Sequence, residues 1–239
     1  MKGLQDPYSE NDPLFEETEV FAGDEPLVAG EDIVSYIQSE IAAETGVLKE
    51  LRDHATEKRI PILHPEVAKL IEVLLKGFRP ARILEIGTSI GYSSILFAGS
   101  TPSDTMIDTI EIDEQTAFFA GENICRAGYN NRINILMGDA MEVLPWLNQR
   151  YDMVFLDGPK GQYSRLLPEC LRVLETGGVL ITDNIFYRGM VTCKEERIPR
   201  RRRLMVHRLR EYIRIICNHE QLDTSLLTMG DGVAISVKK

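Results

Sequence analysis

Cysteine and histidine are few in this chain, and neither is spaced as a zinc or redox site requires. The four cysteines form no C-x-x-C pair, and the four histidines show no H-x-x-x-H spacing. These spacings argue against a zinc site and against a redox dithiol. Any bound metal ion would need oxygen ligands, and we expect the thiols to be reduced.

Long apolar runs are also missing. No segment approaches the roughly 18 consecutive apolar residues of a membrane span. The first 20 residues are acidic and lack the apolar core of a secretory signal. We therefore expect a cytoplasmic protein. Its 239 residues, 44% of them hydrophobic, are enough to bury a substantial core.

Basic residues are scarce at the start of the chain and dense near its end. Residues 1–32 carry ten acids against Lys2, which accounts for -9 of the net charge of -10. This composition predicts an acidic flexible tail over residues 1–30, and a helical pattern then predicts an N-terminal helical cap over 31–64. Residues 194–214 hold nine basic and three acidic residues, so one face can be strongly positive.

Apolar segments alternate with helical patterns over residues 65–239. Apolar strands separated by helices indicate a parallel sheet that is covered on both faces. Asp231-Gly232, between two strand-like runs, predicts a closing antiparallel hairpin. The predicted strands are 82–87, 106–112, 132–137, 152–157 and 178–183, and the predicted helices are 92–99, 114–127, 140–148, 162–174 and 200–218.

A glycine loop, EIGTSIGYSS at 85–94, connects the first of these strands to its helix. Gly87 and Gly91 allow a sharp turn and a close approach to a ligand, and the helix start beyond them offers unpaired N–H groups. The spacing is G-x-x-x-G, so the G-x-G-x-x-G fingerprint of dinucleotide-binding proteins is absent. Such a loop can also be only a tight connection.

Acidic residues follow the second and third strands. Glu111 lies where a carboxylate would hold the ribose hydroxyls of an adenosine ligand, and Asp139 with Ala140 lies where the adenine edge would be. Taken singly, each acid could be a helix N-cap. Their occurrence at successive strand ends favours a ligand site.

Asp157, Asp183 and Asn184 end the last two parallel strands, and Lys160 follows the first of them by three positions. The carboxyl ends of parallel strands meet at one edge of a sheet, so these oxygens would converge. Such a set suits Mg²⁺, which also keeps water or substrate among its ligands. The alternative is that Asp157 begins a turn and that the Asp-Asn pair caps the next element.

Together, these motifs resemble class I S-adenosylmethionine-dependent O-methyltransferases of the catechol and caffeoyl-CoA type, over about residues 60–239. More narrowly, the chain is similar to bacterial tRNA 5-hydroxyuridine methyltransferases. The resemblance implies an α/β fold with a Rossmann-like, seven-stranded, mostly parallel sheet that ends in an antiparallel hairpin. It also implies an S-adenosylmethionine cofactor and a homodimer.

The resemblance assigns roles to individual residues. Lys160 and Asp157 would be catalytic, with Lys160 accepting the hydroxyl proton. Asp157, Asp183 and Asn184 would bind Mg²⁺. The residues expected around the cofactor are Leu63, Glu85, Gly87, Thr88, Ser89, Gly91, Ser93, Glu111, Asp139, Ala140 and Asp157.

Chemistry gives the metal a purpose in such an enzyme. Methyl transfer from a sulfonium to oxygen is an in-line displacement that needs an oxyanion. A metal chelated by two adjacent substrate oxygens orients the acceptor and lowers its pKa. The 5-hydroxyl and O4 of 5-hydroxyuridine are adjacent in the same way as the oxygens of a catechol. One type of site can therefore serve a base or a small molecule.

The basic segment bears on the choice of acceptor. Four arginines, Arg200–Arg203, crowd the start of a predicted helix, where RNA phosphates would be favourable partners. Charge runs are more often solvated faces or subunit salt bridges. Phe186 and Tyr187 could stack on a flipped-out base or pack in a dimer interface.

We therefore predict an O-methyltransferase that acts on 5-hydroxyuridine at the tRNA wobble position, with a small-molecule enzyme of the catechol or caffeoyl-CoA type as the alternative. An NAD-dependent dehydrogenase shares the loop and the ribose acid, but the missing fingerprint counts against it. A binding module without activity is disfavoured, because the full set of ligand-type residues is present.

Overall fold

The computed structural model describes residues 30–239, so the predicted acidic tail falls almost wholly outside the described residues. Three helices come first. They are α1 (Gly30–Glu40), α2 (Gly46–Lys58) and α3 (Pro65–Phe78). Pro65 opens α3 because a proline at the first helical position loses no hydrogen bond.

Strands and helices then alternate. The strands are β1 (Arg82–Ile86), β2 (Met106–Glu111), β3 (Ile133–Met137), β4 (Tyr151–Leu156), β5 (Leu174–Thr182), β6 (Leu222–Leu227) and β7 (Val233–Lys238). The helices that follow α3 are α4 (Tyr92–Ser100), α5 (Glu114–Arg126), α6 (Ala140–Val143), α7 (Tyr163–Val173) and α8 (Arg200–Cys217). None of the described helices is long and apolar enough to cross a membrane.

The described strands form one seven-stranded sheet in the order β3-β2-β1-β4-β5-β7-β6. The pairs within β3-β2-β1-β4-β5 are parallel, whereas β7 is antiparallel to both β5 and β6. The predicted α/β class and the closing hairpin are confirmed. The strand order changes direction between β1 and β4, which is where open α/β sheets bind ligands beyond the carboxyl ends of their strands.

Alternating side chains of the central strands enter two separate cores. On one face, Val154 packs with residues of α7 and α8. On the other, Phe155 packs with residues of α2, α3 and α4, and its ring meets Phe97 edge-on at 5.3 Å. Both faces of the sheet are therefore covered, which explains why its strands are apolar almost throughout.

Two predicted boundaries differ from the structure by more than one residue. The strand predicted at 178–183 begins earlier, at Leu174, and its pairing with β4 shifts register between Tyr151 and Met153. Gly177, with a φ of 81°, provides the irregular backbone between the two parts of β5. The helix predicted over 140–148 is short, because Pro145 lies in a 3₁₀ turn that ends it.

Candidate active site

A cavity of about 940 Å³ opens at the carboxyl edge of the sheet, above β1, β4 and β5. The segment before α3, the glycine loop and the loop after β5 form its walls. Most of the predicted site residues lie on its lining. These are Leu63, Gly87, Thr88, Ser89, Ser93, Glu111, Asp157, Lys160, Asp183 and Asn184.

The glycine loop is held tightly against the strand beside it. Gly87 has a φ of +104°, and its N–H donates to the Ile110 carbonyl at 3.0 Å. A Cβ at Gly87 would lie 2.5 Å from the backbone oxygen of Asp157. Both the φ angle and the space therefore require glycine at this position. Gly91 immediately precedes α4, has a φ of +83° and packs against Ala120. It lies outside the cavity lining.

Glu85 lies beneath the glycine loop and outside the cavity lining, and its contact with the cofactor stays a prediction. The carboxylate is fully buried and accepts hydrogen bonds from the hydroxyls of Ser93, Ser94 and Thr109. Glu85 thereby ties β1 to β2 and to the start of α4. Burial raises the pKa of Glu85 to about 7, despite these three donors.

This raised pKa predicts a measurable pH effect. The folded-state pKa of Glu85 lies above its unfolded value, so its contribution to stability is present at low pH and is lost as pH rises through about 7. The loss amounts to about 3 kcal/mol of the unfolding free energy. Replacing Glu85 with glutamine should therefore flatten the decline in stability between about pH 4.5 and 7.

Urea unfolding at several pH values checks this expectation. The matched control is Glu220→Gln, because Glu220 is exposed. The control should follow the wild-type pH profile. A Glu85→Gln profile parallel to the wild type would show that Glu85 does not change its ionisation in this range.

Glu111 holds the far side of the glycine loop. One carboxylate oxygen accepts the Ser89 N–H at 3.0 Å, and the other accepts the N–H groups of Ile112 and Asp113, each at 3.0 Å. Glu111 also lines the cavity. Glu111 thus fixes the glycine loop and exposes its carboxylate to the cavity. The sequence pattern predicts that this carboxylate binds the ribose of the cofactor.

Asp139 and Ala140 do not reach the cavity lining. Asp139 caps α6, because its carboxylate accepts the Met141 N–H at 2.8 Å, and Ala140 is buried in the core. The helix-cap alternative therefore describes what the Asp139 side chain does in the structure. Contact of these two residues with adenine stays a prediction.

The predicted metal ligands converge because β4 and β5 keep pairing beyond their ends. The Asp157 N–H donates to Ile86, and the Asp183 N–H donates to Leu156, each at 3.1 Å. Asn184 follows with a φ of 56°, a left-handed conformation that asparagine tolerates better than most residues. The three side chains line one part of the cavity.

Lys160 completes this group. Its ammonium donates to Asn184 Oδ1 at 2.6 Å and lies 3.9 Å from Asp157 Oδ1. The side chain of Lys160 is 24% exposed and that of Asp157 is 28% exposed, both into the cavity. A proton on an acceptor bound beside Asp157 would lie near this amine.

The surroundings of this group disfavour the ionised forms of its two carboxylic acids. Burial raises the pKa of Asp157 above its usual value, and the neighbouring Asp183 carboxylate raises it further. Burial also raises the pKa of Asp183, although the Asn184 N–H donates to it at 2.7 Å. The Lys160 ammonium offsets only part of this effect. A bound cation would relieve it.

The donors present suit a hard divalent cation. They are two carboxylates and one amide oxygen, which are ligand types that Mg²⁺ prefers. The described residues contain no cluster of three or more His, Cys, Asp or Glu side chains suited to a metal ion. A cation here would therefore depend on Asn184 and on water or acceptor oxygens to complete its ligands.

Sequence reasoning missed an ion-pair cluster beside the cavity. Arg52 pairs with Glu44 at 2.7 Å, donates to the Leu63 carbonyl at 3.1 Å, and bonds the Tyr92 hydroxyl. Tyr92 also donates to Glu44. These contacts join α2 to the start of α4 and fix Leu63 in the cavity wall. Asp231, in the β6–β7 turn, also lines the cavity and was predicted only as a turn residue.

The four arginines of the basic segment differ in what they contact. Arg202 lines the cavity, bonds the Tyr187 hydroxyl, and lies 5.2 Å from the Tyr187 ring centre. Arg203 donates to the Ile198 carbonyl at 3.1 Å. Arg200 and Arg201 are exposed at the start of α8. Two of these four arginines thus contact the chain between β5 and α8.

The fold and this site define a class I methyltransferase. A parallel sheet, a glycine loop after β1 and a carboxylate after β2 surround the place where an adenosine cofactor binds in this class. The chain belongs to the O-methyltransferase family, whose model matches residues 38–239.

Curated relatives and a solved structure agree with this family. A catechol O-methyltransferase from Niastella koreensis is 27% identical, over 87% of this chain and 97% of its own. A caffeoyl-CoA O-methyltransferase from Stellaria longipes is 27% identical, over 88% of this chain and 91% of its own. The crystal structure of a Bacillus cereus O-methyltransferase in complex with SAH has a TM-score of 0.76 and 25% identity, covering 87% of this chain and 97% of that one.

The protein is thus an S-adenosylmethionine-dependent O-methyltransferase, which confirms the predicted enzyme class and the S-adenosylmethionine cofactor. The narrower likeness to tRNA 5-hydroxyuridine methyltransferases receives no support from these relatives, whose names point to catechol and caffeoyl-CoA acceptors.

Proposed function

We propose that the protein transfers a methyl group from S-adenosylmethionine to one of two adjacent hydroxyls of a small catechol-type acceptor, assisted by Mg²⁺. The observation that carries this proposal is the group of Asp157, Asp183, Asn184 and Lys160 in one cavity with the glycine loop. The names of the catechol and caffeoyl-CoA relatives favour this acceptor class over a tRNA base.

Each residue of the group has a physical role in this proposal. Asp157, Asp183 and Asn184 would hold the cation and thereby orient the acceptor beside the cofactor. A bound Mg²⁺ supplies charge that lowers the pKa of a chelated hydroxyl. Lys160 would take the hydroxyl proton, because its amine lies beside the same three side chains.

Glu111 and the glycine loop would place the cofactor. The Glu111 carboxylate lies on the cavity wall and is fixed by three backbone N–H groups, so it is held ready for the ribose hydroxyls. From beneath the glycine loop, Glu85 would hold that loop and the start of α4 together. A homodimer and a cytoplasmic location stay predictions.

The basic segment supports a tRNA acceptor less than its composition suggests. Arg202 and Arg203 contact the protein itself, as does Arg210, whose Nε donates to the Val191 carbonyl at 2.8 Å. These contacts favour a role of the segment in shaping the cavity wall. Arg200 and Arg201 keep exposed side chains that phosphates could reach.

An acceptor panel tests the choice of substrate. Purified protein with labelled S-adenosylmethionine and Mg²⁺ should transfer label to catechol and to a caffeoyl ester, and should leave tRNA that carries 5-hydroxyuridine unlabelled. Arg201→Gln should not affect turnover, because Arg201 is exposed. Arg202→Gln should raise the KM of the catechol about threefold to tenfold, because it removes a charged hydrogen bond to Tyr187.

Label in the tRNA alone, lost in the Arg201→Gln variant, would contradict the small-molecule proposal. The family and the cofactor would be unaffected by that result.

A further inference from the structure

The loop after β5 has a strained backbone, and we call residues 184–188 the acceptor loop. Asn184, Tyr187 and Arg188 have φ angles of 56°, 49° and 55°. All three residues line the cavity, and Asn184 is itself one of the predicted metal ligands. Left-handed residues other than glycine persist only where their surroundings hold them, so something must hold this loop.

The turn of the β6–β7 hairpin makes the contacts that hold it. The Ile185 N–H donates to the Gly232 carbonyl at 3.0 Å, and the Phe186 N–H donates to the Asp231 carbonyl at 2.9 Å. The Arg188 N–H donates to the Asp231 carboxylate. Three backbone donors of the acceptor loop are therefore satisfied by two neighbouring residues of one turn.

Packing allows the turn and the loop little freedom. Gly232 has a φ of +88°, and a Cβ there would overlap the Phe186 ring and lie 3.0 Å from Ile185 Cγ1. Ile185 itself is fully buried. The middle of the acceptor loop is thus pressed against the hairpin. At its far end, the Arg188 N–H donates to the Asp231 carboxylate, and Arg202 bonds the Tyr187 hydroxyl.

We propose that Asp231 is a positioning residue that fixes the far end of the acceptor loop and so places Tyr187 and Arg188 against the acceptor. Its carboxylate also faces Lys160 and His64, and its negative charge raises the pKa of Asp183. The hydrogen bond to Arg188 carries the proposed role, and the negative charge does not. The effect on acceptor binding rests on the proposed function, whereas the effect on loop order does not.

Two variants separate the hydrogen bond from the charge. Asp231→Asn keeps an oxygen that can accept the Arg188 N–H and removes the charge, whereas Asp231→Ala removes both. Asp104→Ala is the matched control, because Asp104 is an exposed aspartate in the turn before β2. If Asp231→Ala fails to fold, Asp231→Ser provides a shorter side chain for the same comparison.

Hydrogen–deuterium exchange of the cofactor-free protein tests loop order without any acceptor. Peptides that cover the acceptor loop should exchange about tenfold faster in Asp231→Ala than in the wild type, because a hydrogen bond to a charged group is lost. Asp231→Asn should remain within about threefold of the wild type. Equal exchange in wild type and Asp231→Ala, or equally fast exchange in both variants, would overturn the proposal.

Steady-state kinetics with a catechol acceptor test the effect of Asp231 on acceptor binding. Asp231→Ala should raise the acceptor KM about tenfold and leave SAH affinity unchanged. The acceptor KM of Asp231→Asn should stay close to that of the wild type. If wild-type protein does not methylate catechols, the proposed function fails and the exchange experiment still decides the role of Asp231. Faster exchange with an unchanged KM would overturn the placement of the acceptor by this loop.

Discussion

Replacing Lys160 with methionine should lower kcat by about 10²- to 10⁴-fold, which is the usual contribution of a positioned general base. Methionine keeps most of the length of the side chain and removes the amine. Affinity for the cofactor should change little, because the amine contacts Asn184 and Asp157, two of the proposed metal ligands. Steady-state kinetics together with SAH titration measure both quantities.

Lys160 could instead only orient Asn184, and an arginine variant distinguishes the two roles. Arginine keeps a positive charge and donors for Asn184 Oδ1 but is not deprotonated at accessible pH. Lys160→Arg should therefore be nearly as slow as Lys160→Met. Recovery of most of the wild-type kcat in Lys160→Arg would contradict the base role. Lys76→Met, on the exposed side of α3, serves as the control.

Replacing Gly87 with alanine should have the second large effect. The new Cβ would lie 2.5 Å from the Asp157 backbone oxygen, and alanine is strained at a φ of +104°. Strain and overpacking each cost about 1–3 kcal/mol, so the unfolding free energy should fall by several kcal/mol. The loop and Asp157 must also move apart, so SAH binding should weaken about 100-fold or more.

Gly177→Ala provides a matched control for the φ angle alone. Gly177 has a φ of +81°, and nothing lies within 4 Å of a Cβ placed there. The control should lose only about 1–2 kcal/mol of unfolding free energy and keep its SAH affinity. Equal losses in the two variants would show that the contact with Asp157 is unimportant. Urea unfolding and calorimetric titration measure the two quantities.

Much of the fold and part of the site could be predicted from the sequence, because both follow from local patterns. Apolar runs identify the strands, and the carboxyl ends of parallel strands lie at one edge, so the convergence of Asp157 with Asp183 and Asn184 could be foreseen. Gly87 was identified by the sharp turn after β1.

Other features depend on partners that are distant in sequence. The Tyr92 hydroxyl bonds Glu44, 48 residues away, and no local pattern indicates that contact. Asp231 reaches the acceptor loop only because β7 is antiparallel to β5. The sequence could not show that the Glu85 side chain lies beneath the glycine loop. The direction of that side chain depends on how β1 packs against α4.

The measurement that tests the central claim most directly compares 3,4-dihydroxybenzoate with 3-hydroxybenzoate as methyl acceptors, before and after divalent cations are removed with EDTA. We predict transfer of one methyl group to the dihydroxy acceptor only, lost with EDTA and restored by Mg²⁺. In the proposed function, a cation held by Asp157, Asp183 and Asn184 binds two adjacent oxygens of the acceptor. Equal transfer to both acceptors in the presence of EDTA would contradict the account.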